Sequence, residues 1–401
     1  MKDHLKAFVD NMINYFINII RILALYLIRV ILRVFWLLPI DKKKVIFCSY
    51  GGKQYSCNPK YIFEYMIERY GNTFKYIWSV NMPSIMPEKY KDIKTVKYMS
   101  FQYICHVLTA GVIIYNNVIQ SFFPIRRNQI VVNTFHGGGA YKKIHIDAFP
   151  DKRKVFSMEI TRIVSSKAVK YVISSCERFT AVCSKVWSIP AEKFLPIGMP
   201  RNDIIFNIQD SMVKKVKDHF NLNVKKKIVL YAPTVWGNKK YAETMFYSLN
   251  VQYLLQTLNN KFGNEFVLLY RLHMSRENNI DVQHKDIIPA SDYPDMQELL
   301  CATDVLVTDY SSSVWDFSFT FKPCFLFTPD LDEYKEKQGF YTPIEEWPFS
   351  FAKTSEQLMD NIKNFDQEEY TTAVKAHHKA LGSYEQGTAT KQFCDILFCE
   401  R

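Results

Sequence analysis

The chain has 401 residues, 48% of them hydrophobic and 23% charged, which exceeds one ordinary domain and excludes a mostly disordered polypeptide. Its net charge of +11 points to anionic partners, yet no basic block is interleaved with aromatic residues, which argues against nucleic acid. Nine cysteines, with no C-x-x-C pair, read as reduced and buried rather than as a zinc site.

Residues 11–38 are apolar and reach Pro39 without a helix breaker, but Arg21, Arg29 and Arg33 interrupt them. The longest uncharged run, 11–20, is shorter than the roughly 20 residues a spanning helix needs. On a helix at about 100° per residue, Asp3, Lys6, Asp10, Asn11, Asn14, Asn18, Arg21, Arg29 and Arg33 share one half. Ile17, Leu25, Ile28 and Leu32 intrude on that polar half. The pattern predicts an amphipathic helix over 1–40 lying in an anionic membrane surface, with Trp36 and the arginines at headgroup level.

Beyond residue 44, short β-branched runs alternate with helical stretches. Strands are predicted at 45–49, 75–80, 112–115, 130–134, 181–184, 228–232, 266–272, 305–308 and 324–327. Helices are predicted near 59–70, 99–110, 155–173, 210–220, 250–262, 293–302 and 314–321. Continuous apolar strands between helices mean parallel sheets buried on both faces. A polar, Lys-rich stretch near 203–225 marks a boundary. The fold class is therefore α/β, with one doubly wound domain at 41–205 and another at 222–345. Residues 346–401 are expected to form helices packing back across both. Ligands of such sheets bind beyond the carboxyl ends of the strands.

Five strings sit at or near those ends. Phe135-His136-Gly137-Gly138-Gly139-Ala140-Tyr141-Lys142-Lys143 follows the strand at 130–134. Its glycines can expose N–H groups to an anion, and His136 can take a proton near neutral pH. Gly198-Met199-Pro200-Arg201-Asn202-Asp203 is a turn carrying two charges. Leu230-Tyr231-Ala232-Pro233-Thr234 ends a strand, and Thr234 is placed to meet a phosphate. Arg271 and His273 point to one face of a strand end, as an anion site would require. Val305 to Thr308 runs through Asp309 and Tyr310 into Ser311, Ser312 and Ser313, where helix capping and phosphate binding coincide. An HGGG string also serves esterases, but the Gly-x-Ser-x-Gly elbow is missing, as are G-x-G-x-x-G and Walker A strings. Asp330-Leu331-Asp332 resembles a metal-binding D-x-D, but sits at a predicted helix start where aspartate is ordinary.

In order and spacing, these strings resemble the CDP-glycerol glycerophosphotransferase family of teichoic-acid and capsule synthesis, over roughly 44–345. The family's W-H-G-T-P-x-K-K reads F-H-G-G-G-A-Y-K-K here. Its G-Y-P-R-N-D reads G-M-P-R-N-D, and its R-L-H-P reads R-L-H-M. L-Y-A-P-T is intact, and D-V-L-I-T-D-Y-S-S is nearly so. The resemblance implies two Rossmann-like domains in the GT-B arrangement. It implies transfer of glycerol phosphate or ribitol phosphate from CDP-glycerol or CDP-ribitol to a lipid-linked or capsular glycan, with release of CMP. His136 would be the base and His273 its catalytic partner in the second domain. Arg271, Thr308, Asp309, Ser311, Ser312, Ser313 and Thr234 would face the donor. Gly137, Gly138, Gly139, Lys142, Lys143, Arg201 and Asp203 would lie on the acceptor side. No metal ligand and no required cofactor are expected, although a pyrophosphate can recruit Mg²⁺ without a protein cage. The expected location is the cytoplasmic face of a bacterial membrane, peripherally bound, with room for a homo-oligomer. Two rivals are a nucleotide-sugar glycosyltransferase on the same architecture and a non-catalytic binding protein. A phosphodiester in the product decides against the first, and CMP release against the second.

Overall fold

The computed structural model describes residues 2–148, 156–234, 248–271 and 286–399, with residues 2–11 and 156–157 described as backbone only. Helix α1 (Lys2–Leu32) leads into the first unit. There β1 (Asp41–Cys48), α2 (Cys57–Tyr70), β2 (Lys75–Ser79), β3 (Lys94–Val96), α3 (Phe101–Thr109) and β4 (Ala110–Tyr115) follow one another. Then come β5 (Ile130–Asn133), α4 (Phe156–Ala168), β6 (Tyr171–Ser174), α5 (Glu177–Trp187) and β7 (Phe194–Pro196). A 3₁₀ stretch, Pro200–Asn207, and α6 (Asp210–His219) lead to the second unit. This holds β8 (Lys227–Tyr231), α7 (Val251–Phe262), β9 (Phe266–Tyr270), β10 (Ile287–Pro289), α8 (Met296–Ala302) and β11 (Val305–Thr308). It continues through α9 (Ser313–Ser318), β12 (Cys324–Phe327), α10 (Leu331–Lys337), β13 (Ser350–Ala352) and α11 (Ser355–Lys363). Helices α12 (Gln367–Ala380) and α13 (Ala389–Phe398) close the chain.

Both sheets are parallel and doubly wound, in orders β3-β2-β1-β4-β5-β6-β7 and β10-β9-β8-β11-β12-β13. The strand order reverses at β1/β4 and at β8/β11, which opens a crevice at the carboxyl edge of each sheet. Strands such as β4, β9 and β11 are buried at every position because helices cover both faces.

Three expectations are corrected. Residues 181–184 are helical, within α5. Phe179, Cys183 and Val186 are its buried stripe, at helical spacing, and Cys176 caps its start. The strand lies instead at β6, which takes over the last residues of what reads from sequence as helix 155–173. The second unit does not stop at 345, since β13 pairs with β12 as the sheet's edge.

The third correction concerns α1. The middle of its polar half faces the protein, while Asn14, Arg21 and Arg33 stay exposed. Asn18, Ile22, Leu25, Arg29 and Leu32, spaced by three or four residues, are buried or half-buried, with Ile19 half-buried beside them. The Arg29 guanidinium donates to the carbonyls of Ser121 and Phe123, and Trp36 Nε1 donates to Pro124 O at 2.8 Å. Arg29 and Trp36 therefore tie the helix to the first unit, and Arg29 is taken up there, while Trp36 stays 44% exposed. The intruding Leu25 and Leu32 belong to that docking stripe. The segment Met12–Leu37, 26 residues holding an 18-residue window of mean hydropathy 2.0, is also long and apolar enough to cross a bilayer.

Candidate active site between the two sheets

The His136 loop leaves β5 and runs straight to the second unit. Phe135 has φ of 51°, so the chain turns sharply at the strand tip and brings His136 beside the crevice. His136 Nδ1 lies 2.8 Å from the carbonyl of Asn116, just past the end of β4. A carbonyl only accepts, so Nδ1 carries the proton and Nε2 is the basic nitrogen of the neutral ring. The Tyr50 ring meets the imidazole at 5.5 Å, and Asn116 Oδ1 accepts from the Tyr50 N–H at 2.8 Å.

The glycines serve the contact between the units. A β-carbon on Gly138 would lie 2.0 Å from Trp315, and one on Gly139 would lie 2.5 Å from Tyr141 and 2.9 Å from Trp315. The Gly139 N–H donates to Ser175 Oγ at 3.3 Å. These two glycines thus admit the Trp315 ring rather than cradling an anion. Trp315 Nε1 in turn donates to Glu385 Oε1 at 3.0 Å. Burial pushes the Glu385 carboxyl up to about 8, against N–H donors on Trp315, Met199 and Asn202 that favour its charged form. Lys142 bridges to Phe340, and the Lys143 N–H donates to Gly339 O at 3.0 Å, so the loop ends as an antiparallel patch on the second unit.

A cleft opens where the units meet. His136, Gly137, Lys142, Phe179, Tyr310, Ser312 and Tyr341 line it, so both sheets contribute. Asp309 sits behind Ser312. Its carboxylate accepts the Thr234 N–H at 2.7 Å and the Ser311 N–H at 3.0 Å, which ties the ends of β8 and β11 together. Burial raises Asp309 to about 6, opposed by the Thr234 N–H and then by the charge of Lys142. Burial lowers Lys142 itself, while Asp309 pulls it back up.

Several expected ligand contacts have internal partners instead. Thr308 is fully buried and donates to Ala232 O at 2.6 Å. Ser313 is buried and donates to Ser311 Oγ at 3.0 Å. The Val314 and Trp315 N–H groups donate to the carbonyls of Ser311 and Ser312. The short α9 therefore offers few free donors, and Ser312 is the serine left lining the cleft. Asp203 accepts the Ala389 and Thr390 N–H groups at the start of α13, as a helix cap. Arg201 is 4% exposed and pairs with Asp316 at 2.7 Å, so its charge is taken up inside the protein. Arg271 ends β9, half-buried, with Nη1 donating to Ala290 O and Tyr293 O. His273 lies outside the described residues. Asp330 accepts the Tyr310 hydroxyl and Asp332 pairs with Lys353. Among the described residues no three His, Cys, Asp or Glu side chains are grouped to hold a metal.

Sequence reasoning missed Asn116, Asn58, Trp315 and Glu385. Asn116 had a readable signal, since a buried strand that ends in Asn116-Asn117 places polar side chains at a carboxyl edge. Glu385 had none.

A profile of the family described as CDP-Glycerol:Poly(glycerophosphate) glycerophosphotransferase matches residues 30–399. The chain is 31% identical to a teichoic acid poly(glycerol phosphate) polymerase of Bacillus spizizenii, over 94% of this chain and 97% of that one. It is 27% identical to a teichoic acid glycerol-phosphate transferase of Staphylococcus aureus, over 89% and 93%. The crystal structure of the wall teichoic acid polymerase TagF superposes with a TM-score of 0.79 at 26% identity, covering 98% of both chains. A histidine variant of TagF has also been solved after soaking with CDPG. The doubly wound pair of sheets is thus the GT-B-like arrangement of that polymerase. The enzyme moves an alditol phosphate from a CDP-alditol in teichoic-acid synthesis. With the match running through nearly all of both units, this chain belongs to the CDP-glycerol:poly(glycerophosphate) glycerophosphotransferase family.

Proposed function

We propose that this chain transfers glycerol phosphate from CDP-glycerol to a hydroxyl of a lipid-linked glycan, with His136 as the base. The observation that carries this reading is the 2.8 Å contact of Nδ1 with the Asn116 carbonyl, on a ring that lines the cleft with Ser312. The acceptor oxygen bonds to the alditol-bearing phosphorus while its proton passes to Nε2. The bridging P–O bond breaks, and CMP leaves with the electron pair. Lys142 and Arg271 supply positive charge near the donor phosphates, with His273 as their partner by family resemblance. A metal requirement would enter as Mg²⁺ carried on the pyrophosphate. CMP release should be measured with CDP-glycerol, CDP-ribitol and CMP-sugars in parallel. The expected result is turnover of CDP-glycerol with a phosphodiester product. Preference for a sugar donor would move the enzyme to the glycosyltransferase reading.

Donor binding rests on the turn at Ser311–Ser312. We expect Ser312→Ala to weaken CDP-glycerol binding by at least about tenfold, one hydrogen bond to a charged oxygen. Adding Ser311→Ala, which also frees Ser313, should bring the loss to about a hundredfold. Calorimetry on both variants checks this, and unchanged affinity would place the nucleotide elsewhere.

The membrane reading draws support from the outer face of α1. Ile20, Leu23, Leu27, Val30, Ile31 and Val34 are exposed, and the surface continues through Leu37 (85% exposed) to Phe101 (72%). An apolar strip of this length needs a covering. Docking along Asn18–Leu32 holds the helix against the first unit, which suits a helix lying in the cytoplasmic leaflet. Substituting Gln for Leu23, Leu27 and Leu37 should release the protein from membranes and spare CMP release with a soluble acceptor analogue. Resistance of the unaltered protein to alkaline carbonate extraction would instead indicate spanning.

A further inference from the structure

Three successive carbonyls of the His136 loop are gripped from one side. Asn58 Nδ2 donates to Thr134 O at 2.9 Å and to Phe135 O at 3.1 Å. Arg201 Nη1 donates to His136 O at 2.7 Å. The two gripping residues are themselves joined, since the Arg201 N–H donates to Asn58 Oδ1 at 3.0 Å. Between the held carbonyls, Phe135 keeps a left-handed φ of 51°. A bulky residue holds that conformation only where its surroundings impose it, and such strain clusters at functional sites.

The grip reaches the second unit. Arg201 Nη2 pairs with Asp316 Oδ2 at 2.7 Å, and both side chains are at most 5% exposed. Gln297 Nε2, from α8, donates to the same Asp316 oxygen at 2.9 Å. Asp316 stands in α9, directly after the donor-side turn, and its neighbour Trp315 fills the space beside Gly138 and Gly139. One short helix thus touches both the loop that carries His136 and the arginine that holds its carbonyl. Buried ion pairs are weak sources of stability, because desolvation offsets their attraction, and are better suited to fixing geometry.

We propose that Arg201 and Asp316 are positioning residues that hold His136 at its working place and couple that place to the donor-side turn. The proposal rests on His136 being the base. Arg201→Lys keeps the charge opposite Asp316 but loses the fork needed to serve both partners. The expected outcome is a kcat for CMP release about ten- to a hundredfold lower, as for a base displaced by about 1 Å. Donor affinity by calorimetry should stay within about twofold. Asp316→Asn, which keeps the shape, should do the same and serves if Arg201→Lys fails to fold.

Two further variants make the test decisive. Lys60→Gln breaks another buried pair between the units, Lys60 with Asp295 and Glu298, that has no contact with His136. At a matched thermal midpoint it should cost much less turnover than Arg201→Lys. In a His136→Ala background, Arg201→Lys should lower the residual rate no further, because its effect passes through the base. Equal losses in the Lys60 and Arg201 variants, or full multiplication of the Arg201 and His136 effects, would overturn the coupling. Near-normal turnover in His136→Ala would instead overturn the base assignment, so the two failures are distinguishable.

Discussion

Replacing His136 by alanine is expected to lower turnover about 10²- to 10⁴-fold while leaving the fold intact, the usual cost of losing a general base. The ring is half-buried at a loop, and its Nδ1 partner is a backbone carbonyl, so removal leaves no buried charge behind. Thermal unfolding should therefore shift by a few degrees at most, and donor affinity should hold. His136→Gln is an informative companion, because it can still donate to the Asn116 carbonyl but offers no comparable base. It should be as slow as alanine. His273→Ala is expected to lose turnover on a scale similar to His136→Ala, by family resemblance. A well-folded His136→Ala protein with near-normal CMP release would remove the imidazole from the chemistry.

Two buried histidines are expected to oppose folding in acid. His377 and His378 on α12 are each 9% exposed. His377 Nε2 meets the Tyr141 hydroxyl at 2.9 Å, and His378 Nε2 meets Ser318 Oγ at 2.7 Å. Burial pushes both imidazoles down to about 4 from the ordinary 6.5. Below about pH 6.5 the unfolded chain binds protons that the folded protein refuses. Stability is thus complete above that pH and falls as the pH drops towards 4, by about 3 kcal/mol for each ring at most. Asp309 and Glu385 act in the opposite direction. Their protons are held more tightly when folded, so they favour the folded state as pH falls below about 6 and about 8 respectively. Urea unfolding at pH 7.5 and pH 5 of the protein and of the variant carrying His377→Gln and His378→Gln isolates the histidine share, because Asp309 and Glu385 act alike in both. Relative to the unaltered protein, the variant should be more stable at pH 5 than it is at pH 7.5. An unchanged dependence would mean that both rings charge freely in the folded protein.

The sheets were legible because parallel strands must be buried on both faces. Runs such as Val305–Thr308 and Cys324–Phe327 have no other plausible place. Short edge strands such as Lys94–Val96 and Ser350–Ala352 were not legible, because they carry too few residues to show a period. The stretch at 181–184 misled for a related reason. Three apolar residues, Ala181, Val182 and Cys183, fit a buried strand or one face of a helix equally well, and the deciding cap, Cys176, is not an ordinary capping residue. Among candidate ligands, His136, Lys142 and Ser312 do line the cleft. Thr308, Ser313, Arg201 and Asp203 do not, and nothing in their spacing distinguishes them. A hydroxyl or a guanidinium at a strand end satisfies its hydrogen bonds equally well with a phosphate or with another part of the chain.

The sequence by itself determined two doubly wound parallel sheets, the motifs at their carboxyl edges and an N-terminal helix with one polar side. All of these follow from local periodicity and turn chemistry, which a linear string records. Only the tertiary structure decided that the Asn18–Arg29 face of α1 is docked, that Gly138 and Gly139 make room for Trp315, and that Arg201 ties His136 to Asp316. Each of these depends on which distant groups meet in a water-poor contact. There an unpartnered polar group is costly, so the final pairing is set by what lies within reach in space rather than along the chain.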